Sequence, residues 1–310
     1  MWKYTFKRLI QGVITVWFIA TATFFVMHNV PGDPLADAKA VSPEIRANLE
    51  AKYGLDKPVH EQYLIYLANF LRGDFGISFA QQNRYVNDII YEHFPVSATL
   101  GILAIVFAGL GGVLWGALTA LYRNRLPDVI IMFLVILGIS VPSFVVAALG
   151  QLGIVNANNF FGTSLLPAVG WGTIAHMLVP SMVLGLGTMA YLTRLMRSSM
   201  LEIVNSDFVR TAKSKGLPPS RIFTNHQLRN AILPVITVLG PSIAAITTGG
   251  FVVESVFAIP GLGRYFVQAV QQSDYTVIMG TTVFYGAFLV FMVIVVDLLY
   301  AWVDPRVRLE

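Results

Sequence analysis

The sequence predicts an all-α integral membrane protein with six transmembrane helices. Three observations carry that reading. Of 310 residues, 55% are hydrophobic and only 12% charged, where a soluble domain has roughly 25% charged. Six apolar runs are long enough to cross the hydrocarbon core as helices, which takes about 17–25 residues. The basic residues cluster on one alternate set of the connections between those runs, as the positive-inside rule requires.

The runs lie at 9–29, 96–121, 129–150, 174–193, 235–253 and 276–297. Without water in the bilayer core, each segment must satisfy its own backbone groups, so each run reads as a helix. The alternating pattern of a β-barrel is absent. The chain thus reads as one membrane domain, 1–310. Its parts are an N-terminal segment with the first span (1–30), an outside segment (31–95), and a five-span core (96–310) that includes a basic loop at 194–234. There is no cysteine, hence no disulfide framework and no thiolate metal site or nucleophile.

Lys3, Lys7 and Arg8 precede an apolar run that is longer than the roughly 7–15 residues of a signal h-region, so it is expected to be a retained span. Fourteen of the 21 Lys and Arg fall before span one, between spans two and three, between four and five, and after span six. Both termini are therefore expected on the cytoplasmic side of a multi-pass protein. Segment 31–95 is long and mixed in charge, and such segments translocate regardless of charge. Ser42-Pro43-Glu44 reads as a helix start. Tyr63, Leu64, Tyr66, Leu67, Phe70 and Leu71 read as the apolar face of a second outer helix.

In span two, Gly112 and Gly116 form a small-xxx-small pair suited to close helix contact. Span three contains Ser140-Val141-Pro142-Ser143, where proline can kink the helix. Ser140, Pro142 and Ser143 are candidate pathway residues of an uncharged, serine-lined helix. The stretch 151–173 reads as a glycine- and asparagine-rich loop, with Trp171 as an interfacial anchor. After span five, Glu254 through Arg264 holds enough apolar residues and glycine to dip back toward the membrane, with Glu254 and Arg264 as candidate gate charges. Asp297, near the end of span six, is expected to snorkel to the interface.

The basic loop 194–234 carries seven of the 21 Lys and Arg, yet it is patterned like folded structure. Leu201, Val204, Phe208, Thr211 and Ala212 recur at helical spacing, giving one helix over 200–214. Gly216-Leu217-Pro218-Pro219 stops it, and an amphipathic segment, Ser220 to Leu233, follows. Two short helices held beneath the membrane make a docking element.

The loop's motifs resemble the cytoplasmic coupling loop of ABC importer permeases of the peptide and nickel branch. The matching residues are Asp207-Phe208-Val209-Arg210-Thr211-Ala212, Gly216, His226-Gln227-Leu228-Arg229-Asn230-Ala231 and Leu233-Pro234. Arg210 and Thr211 stand where the general Glu-Ala-Ala pattern has its first two letters. Four further stretches look like oligopeptide and dipeptide permease B subunits: Pro31-Gly32-Asp33-Pro34; Tyr53-Gly54-Leu55-Asp56-Lys57-Pro58 with Gln62-Tyr63; Leu71-Arg72-Gly73-Asp74-Phe75-Gly76 with Ser78; and Glu254 to Gly263 followed by Asp274-Tyr275, without the family's usual proline.

The resemblance implies the type I ABC importer permease fold, with a large extracytoplasmic segment after the first helix and a coupling-helix loop. It implies a non-catalytic subunit of a bacterial inner or plasma membrane, importing peptides. Its expected partners are a second permease, two cytoplasmic ATPases, an extracytoplasmic binding protein and membrane lipid, with no nucleic acid. ATP and Mg would sit on the ATPases and no cofactor on this chain. Asp207, Arg210, Thr211, Ala212 and Gly216 are the expected ATPase-coupling residues. Nickel and glutathione are alternative cargoes of the same permease type.

Absent motifs agree with a conduit powered from elsewhere. The chain has no Gly-x-x-x-x-Gly-Lys-(Ser/Thr) phosphate loop, His-Glu-x-x-His or Gly-x-Ser-x-Gly. A stand-alone secondary carrier or channel is the alternative from another class, and it leaves the basic loop unexplained. An intramembrane protease would need a constellation for which His176 and Ser181 are the nearest candidates.

Overall fold

A computed structural model describes residues 2–29, 54, 56–81, 83–163, 166–248 and 250–303. The expected helix start at Ser42, the stretch Pro31 to Pro34 and the tail after 303 lie outside them. Apart from one isolated bridge between Ile77 and Tyr85, the described residues form helices and turns. Five helices are long and apolar enough to cross a membrane, and a bent pair raises the number to six. The chain forms two compact units, 1–97 with 260–310, and 98–259.

In the first unit, α1 (Trp2–Asn29) packs along α12 (Tyr275–Val303). Arg8 Nε lies 3.2 Å from Asp297 Oδ2, so the acid near the end of span six faces a cation on the first helix. The helix α2 (Val59–Leu71) lies on α1, with Tyr63 OH and Thr21 Oγ1 2.8 Å apart and the Phe24 ring against Tyr63 and Tyr66. Its expected apolar face is only partly correct. Tyr63, Tyr66, Leu67 and Phe70 are half-buried, while Leu64 and Leu71 are exposed.

Residues 73–81 and 83–86 form a folded turn pinned to the start of α12. Asp274 is 2% exposed and caps that helix, accepting from the Val277 N–H (3.3 Å) and the Thr276 hydroxyl (3.1 Å). The same carboxylate accepts the Ser78 hydroxyl and the N–H groups of Phe79 (3.2 Å) and Ala80 (3.3 Å). Around it, Val86, Ile89, Ile90, Leu262, Tyr275 and Ile278 make an apolar core with Phe75 and Phe94.

α3 (Val86–Leu121) enters the second unit at residue 98. There it meets α6 (Ile174–Val204) at the predicted glycine pair. A Cβ at Gly112 would lie 2.5 Å from Leu192 Cβ, and one at Gly116 would lie 2.5 Å from Met196 Cβ. No side chain fits there, and the backbones approach as small-residue packing allows.

Span three differs from expectation. It is not one helix with a kink but two, α4 (Leu126–Ser140) and α5 (Ser143–Phe161). Val141 is extended (φ −84, ψ 125), the conformation that a following proline imposes. Pro142 also lacks the N–H that would continue the ladder. Residues 151–161, expected to be loop, extend α5 until Gly162, whose left-handed φ of 62 ends it.

Candidate functional site

The basic loop is built as a compact helical hairpin. α6 runs on past its apolar part to Val204, and Asn205 and Ser206 break it. Ser206 is extended (φ −71, ψ 154) and opens α7 (Asp207–Ser214). The expected single helix over 200–214 is therefore two helices, because that extended residue resets the helical phase. As a result the buried pair is Val209 and Ala212, while Phe208 and Thr211 face outward. The sequence reading missed Val209. It packs with Ala212 against Ile222, with Ile203 and Leu217 alongside.

α7 ends in a Schellman motif. The Gly216 N–H donates to Lys213 O (2.9 Å) and the Leu217 N–H to Ala212 O (3.3 Å). Gly216 adopts φ +74, which glycine reaches without steric cost. A Cβ there would meet nothing within 4 Å, so conformation and not space selects glycine. Leu217 then packs back over Ala212, the apolar contact that completes this cap.

α8 (Pro219–Ala231) starts with proline in its first turn and contains one π turn, Phe223–Leu228. Phe223, Leu228 and Ala231 press onto Leu192, Met196 and Met200 of α6 and Ala117 and Ala120 of α3. The hairpin is thus fixed to the spans by an apolar core. α9 (Leu233–Thr248) leaves it at a 45° bend.

The expected coupling residues fall into two groups. Asp207 and Arg210 are 97% and 72% exposed and lie 3.5 Å apart, and Thr211 and Gly216 are exposed too. Ala212 is inside, where it holds α7 and presents nothing to the exterior. Lys213 and Lys215 extend the exposed basic face.

Ser140, Pro142 and Ser143 are exposed and sit together at the break between α4 and α5. The base of α4 carries a feature that the sequence reading missed. Asp128, 3% exposed, accepts from Arg197 Nε and Nη2 of α6, each at 2.8 Å, and from the Asn124 N–H at 2.9 Å. Its sequence signal is an acid in the first turn of an apolar helix.

Glu254 lies on α10 (Phe251–Val256) and is 2% exposed. Arg264 lies on α11 (Leu262–Gln271) and is half-buried. The two belong to different units. Phe257, Ile259 and Leu262 are buried, so the connection is no ordinary solvated loop. His176 Nδ1 pairs with Thr173 Oγ1 at 2.7 Å, and the Ser181 hydroxyl donates to Leu178 O. Each has a local partner, and the two do not form a catalytic dyad.

Residues 112–309 match the family described as the binding-protein-dependent transport system inner membrane component, and residues 1–101 match its N-terminal companion. The chain belongs to this family. Among relatives of these transport components, the dipeptide transport system permease protein DppB of Bacillus subtilis is 45% identical, over 100% of this chain and 99% of that protein. The oligopeptide transport system permease protein OppB of Haemophilus influenzae is 43% identical, over 99% and 100%. Two solved structures share the fold. An amino acid ABC transporter matches at 17% identity, TM-score 0.53, covering 69% of this chain and 94% of that one. The MetNI methionine ABC transporter, inward facing, matches at 18% identity, TM-score 0.51, covering 71% and 95%. The transport component is therefore an all-α, multi-pass membrane permease with the ABC importer fold.

Proposed function

We propose that this permease imports peptides as one half of a two-permease path, driven by ATP bound with Mg to two cytoplasmic ATPases. An extracytoplasmic binding protein delivers the cargo. One observation carries the reading: α7 is a capped helix anchored through Val209 and Ala212, with Asp207, Phe208, Arg210 and Thr211 outward. An exposed helix so firmly held has the form of a lever for a partner to move. The names of the relatives support peptides as cargo. The basic bias of the loop supports both termini and α7 on the cytoplasmic side, with 31–95 outside. In this reading Asp207, Arg210 and Thr211 touch the ATPase, Gly216 and Ala212 set the helix in place, and Ser140, Pro142 and Ser143 border the path. Glu254 and Arg264 belong to its outer end.

The test is ATP-driven uptake of labelled di- and oligopeptides by the assembled complex in proteoliposomes, with Gly216 intact or changed to Val. The β-branched residue is strained at positive φ. Uptake is expected to require ATP and binding protein, and to fall in G216V while the complex still assembles. Peptide uptake by the chain alone, indifferent to ATP, would sink the proposal and leave a stand-alone carrier. Competition by nickel or glutathione but not by unlabelled peptide would reassign the cargo.

A further inference from the structure

We infer that Asp128 and Arg197 are positioning residues that carry the motion of α7 to the break in span three. The inference rests on the lever reading of α7 proposed above.

Arg197 lies two turns before the end of α6, and α7 begins three residues past that end. Around it Met196 and Met200 bind the hairpin's second helix into the same core. A displacement of α7 therefore reaches α6 through packed side chains and continuous backbone.

The route from α6 to the break is narrower. Proline interrupts the backbone at 141–142, so α5 cannot pull α4 through helical hydrogen bonds. α4 must follow α6 through the contacts between them, which include a close approach near its far end, where a Cβ at Gly138 would lie 3.4 Å from Ala190 Cβ, and the ion pair at its base. Of its residues only Asp128 and Val135 are buried, while Ile130, Phe133, Leu134, Ile136 and Ile139 are exposed. In a bilayer, apolar contacts between helices gain little over contacts with lipid tails. The contact at Gly138 is close but non-directional; the attachment that fixes orientation, at the base of α4, is the ion pair.

Its geometry suits the task. Two parallel N–H···O bonds of 2.8 Å fix orientation as well as distance. The Asn124 N–H holds the second oxygen, which ties the preceding turn to the same carboxylate. α4 then runs from Asp128 to Ser140, about 18 Å at 1.5 Å per residue. A tilt at its base is delivered to Ser140, Pro142 and Ser143 at its far end.

The experiment uses the full complex in proteoliposomes with Asp128→Asn and Arg197→Lys. Asparagine keeps the shape but loses the charge, and lysine keeps the charge but loses the fork. ATP hydrolysis and peptide uptake are measured separately. Hydrolysis stimulated by binding protein is expected to stay within about 2-fold, while uptake falls roughly 10-fold in both variants. The double variant should be no worse than either single one, as for two halves of one link. An unchanged ratio of hydrolysis to uptake overturns the inference, whether both rates hold or both fall together. So does loss of assembly in both variants, which makes the pair part of the fold alone.

A second readout separates this from the cargo proposal. The chain has no cysteine, so spin labels at Phe133→Cys and Tyr191→Cys report the α4–α6 distance in the complex. The wild type should give one narrow distribution that shifts with ATP, and D128N should broaden it. Broadening without any peptide uptake by the wild type would uphold the link and reject peptide as cargo. A distribution unaffected by D128N would overturn the link whatever the cargo.

Discussion

The hairpin of α7 and α8 and the turn at 73–86 solve one problem in opposite ways. Each is a short segment, tied down and turned by glycine at positive φ: Gly216 between the two helices of the hairpin, Gly73 and Gly76 at the start of the turn. The hairpin is held by apolar contacts, with Val209, Ala212 and Ile222 inside and every charge on α7 outside. The 73–86 turn is held by a buried carboxylate that gathers five donors. Apolar packing leaves a segment's polar groups unspent, so α7 can present Asp207 and Arg210 to a partner. A polar hub consumes those groups, and it fixes direction in return. The hairpin therefore has the form of something to be gripped, and the turn that of something to stay put.

The largest effect should come from breaking the hub. Asp274→Ala removes the buried carboxylate that the Ser78 hydroxyl and the half-buried N–H groups of Phe79 and Ala80 share, and uncaps α12. A loss of about 2–4 kcal/mol is expected, read as a lower Tm in detergent and as new proteolysis within 73–86. Next comes the hairpin's core. Val209→Asp places an unpaired charge where the side chain is fully buried, and should free α7. Uptake should fall about 10-fold or more while the spans stay folded, with faster amide exchange confined to α7. Gly216→Ala costs roughly 1 kcal/mol of local stability through positive φ, and Gly216→Asn less, since asparagine tolerates that region. Amide exchange at Lys213 to Leu217 should rank glycine, asparagine, alanine. The smallest effect on stability belongs to Asp207→Asn and Arg210→Gln, an exposed pair of little worth. Tm should not change measurably, so any loss of uptake there reports contact with a partner. If Asp207→Asn instead lowered Tm as much as Val209→Asp, the contrast between the two regions would fail.

The sequence made the spans legible because hydropathy is a local signal, and the glycine pair at 112 and 116 was legible for the same reason. Errors arose where one residue altered the phase or the continuity of a helix. Ser206 is an ordinary polar residue in a helical pattern, and its extended backbone moved burial from Phe208 to Val209. Pro142 reads as a kink in the sequence, and Gly162, the actual stop of α5, is hidden because Asn156, Asn158 and Asn159 make the stretch look like a loop. The least legible features pair distant residues. Ser78 meets Asp274 across 196 positions and Arg197 meets Asp128 across 69. The family-like residues at 71–78 were recognised in the sequence, but their physical purpose, a turn wired to the carboxylate of Asp274, needed the fold.

The packing of α1 along α12 imposes an order on synthesis. α1 leaves the ribosome long before α12, and at roughly 5–20 residues per second the wait between them is on the order of tens of seconds. Throughout that interval α1 must survive in the bilayer without its mate, with Arg8 lacking Asp297. Its exposed apolar side chains, Val13, Ile14, Trp17 and Phe18 among them, suit a helix that first lives alone in lipid. α12 then supplies the missing partner, so a nascent chain stopped short of it would leave α1 unmatched in the bilayer.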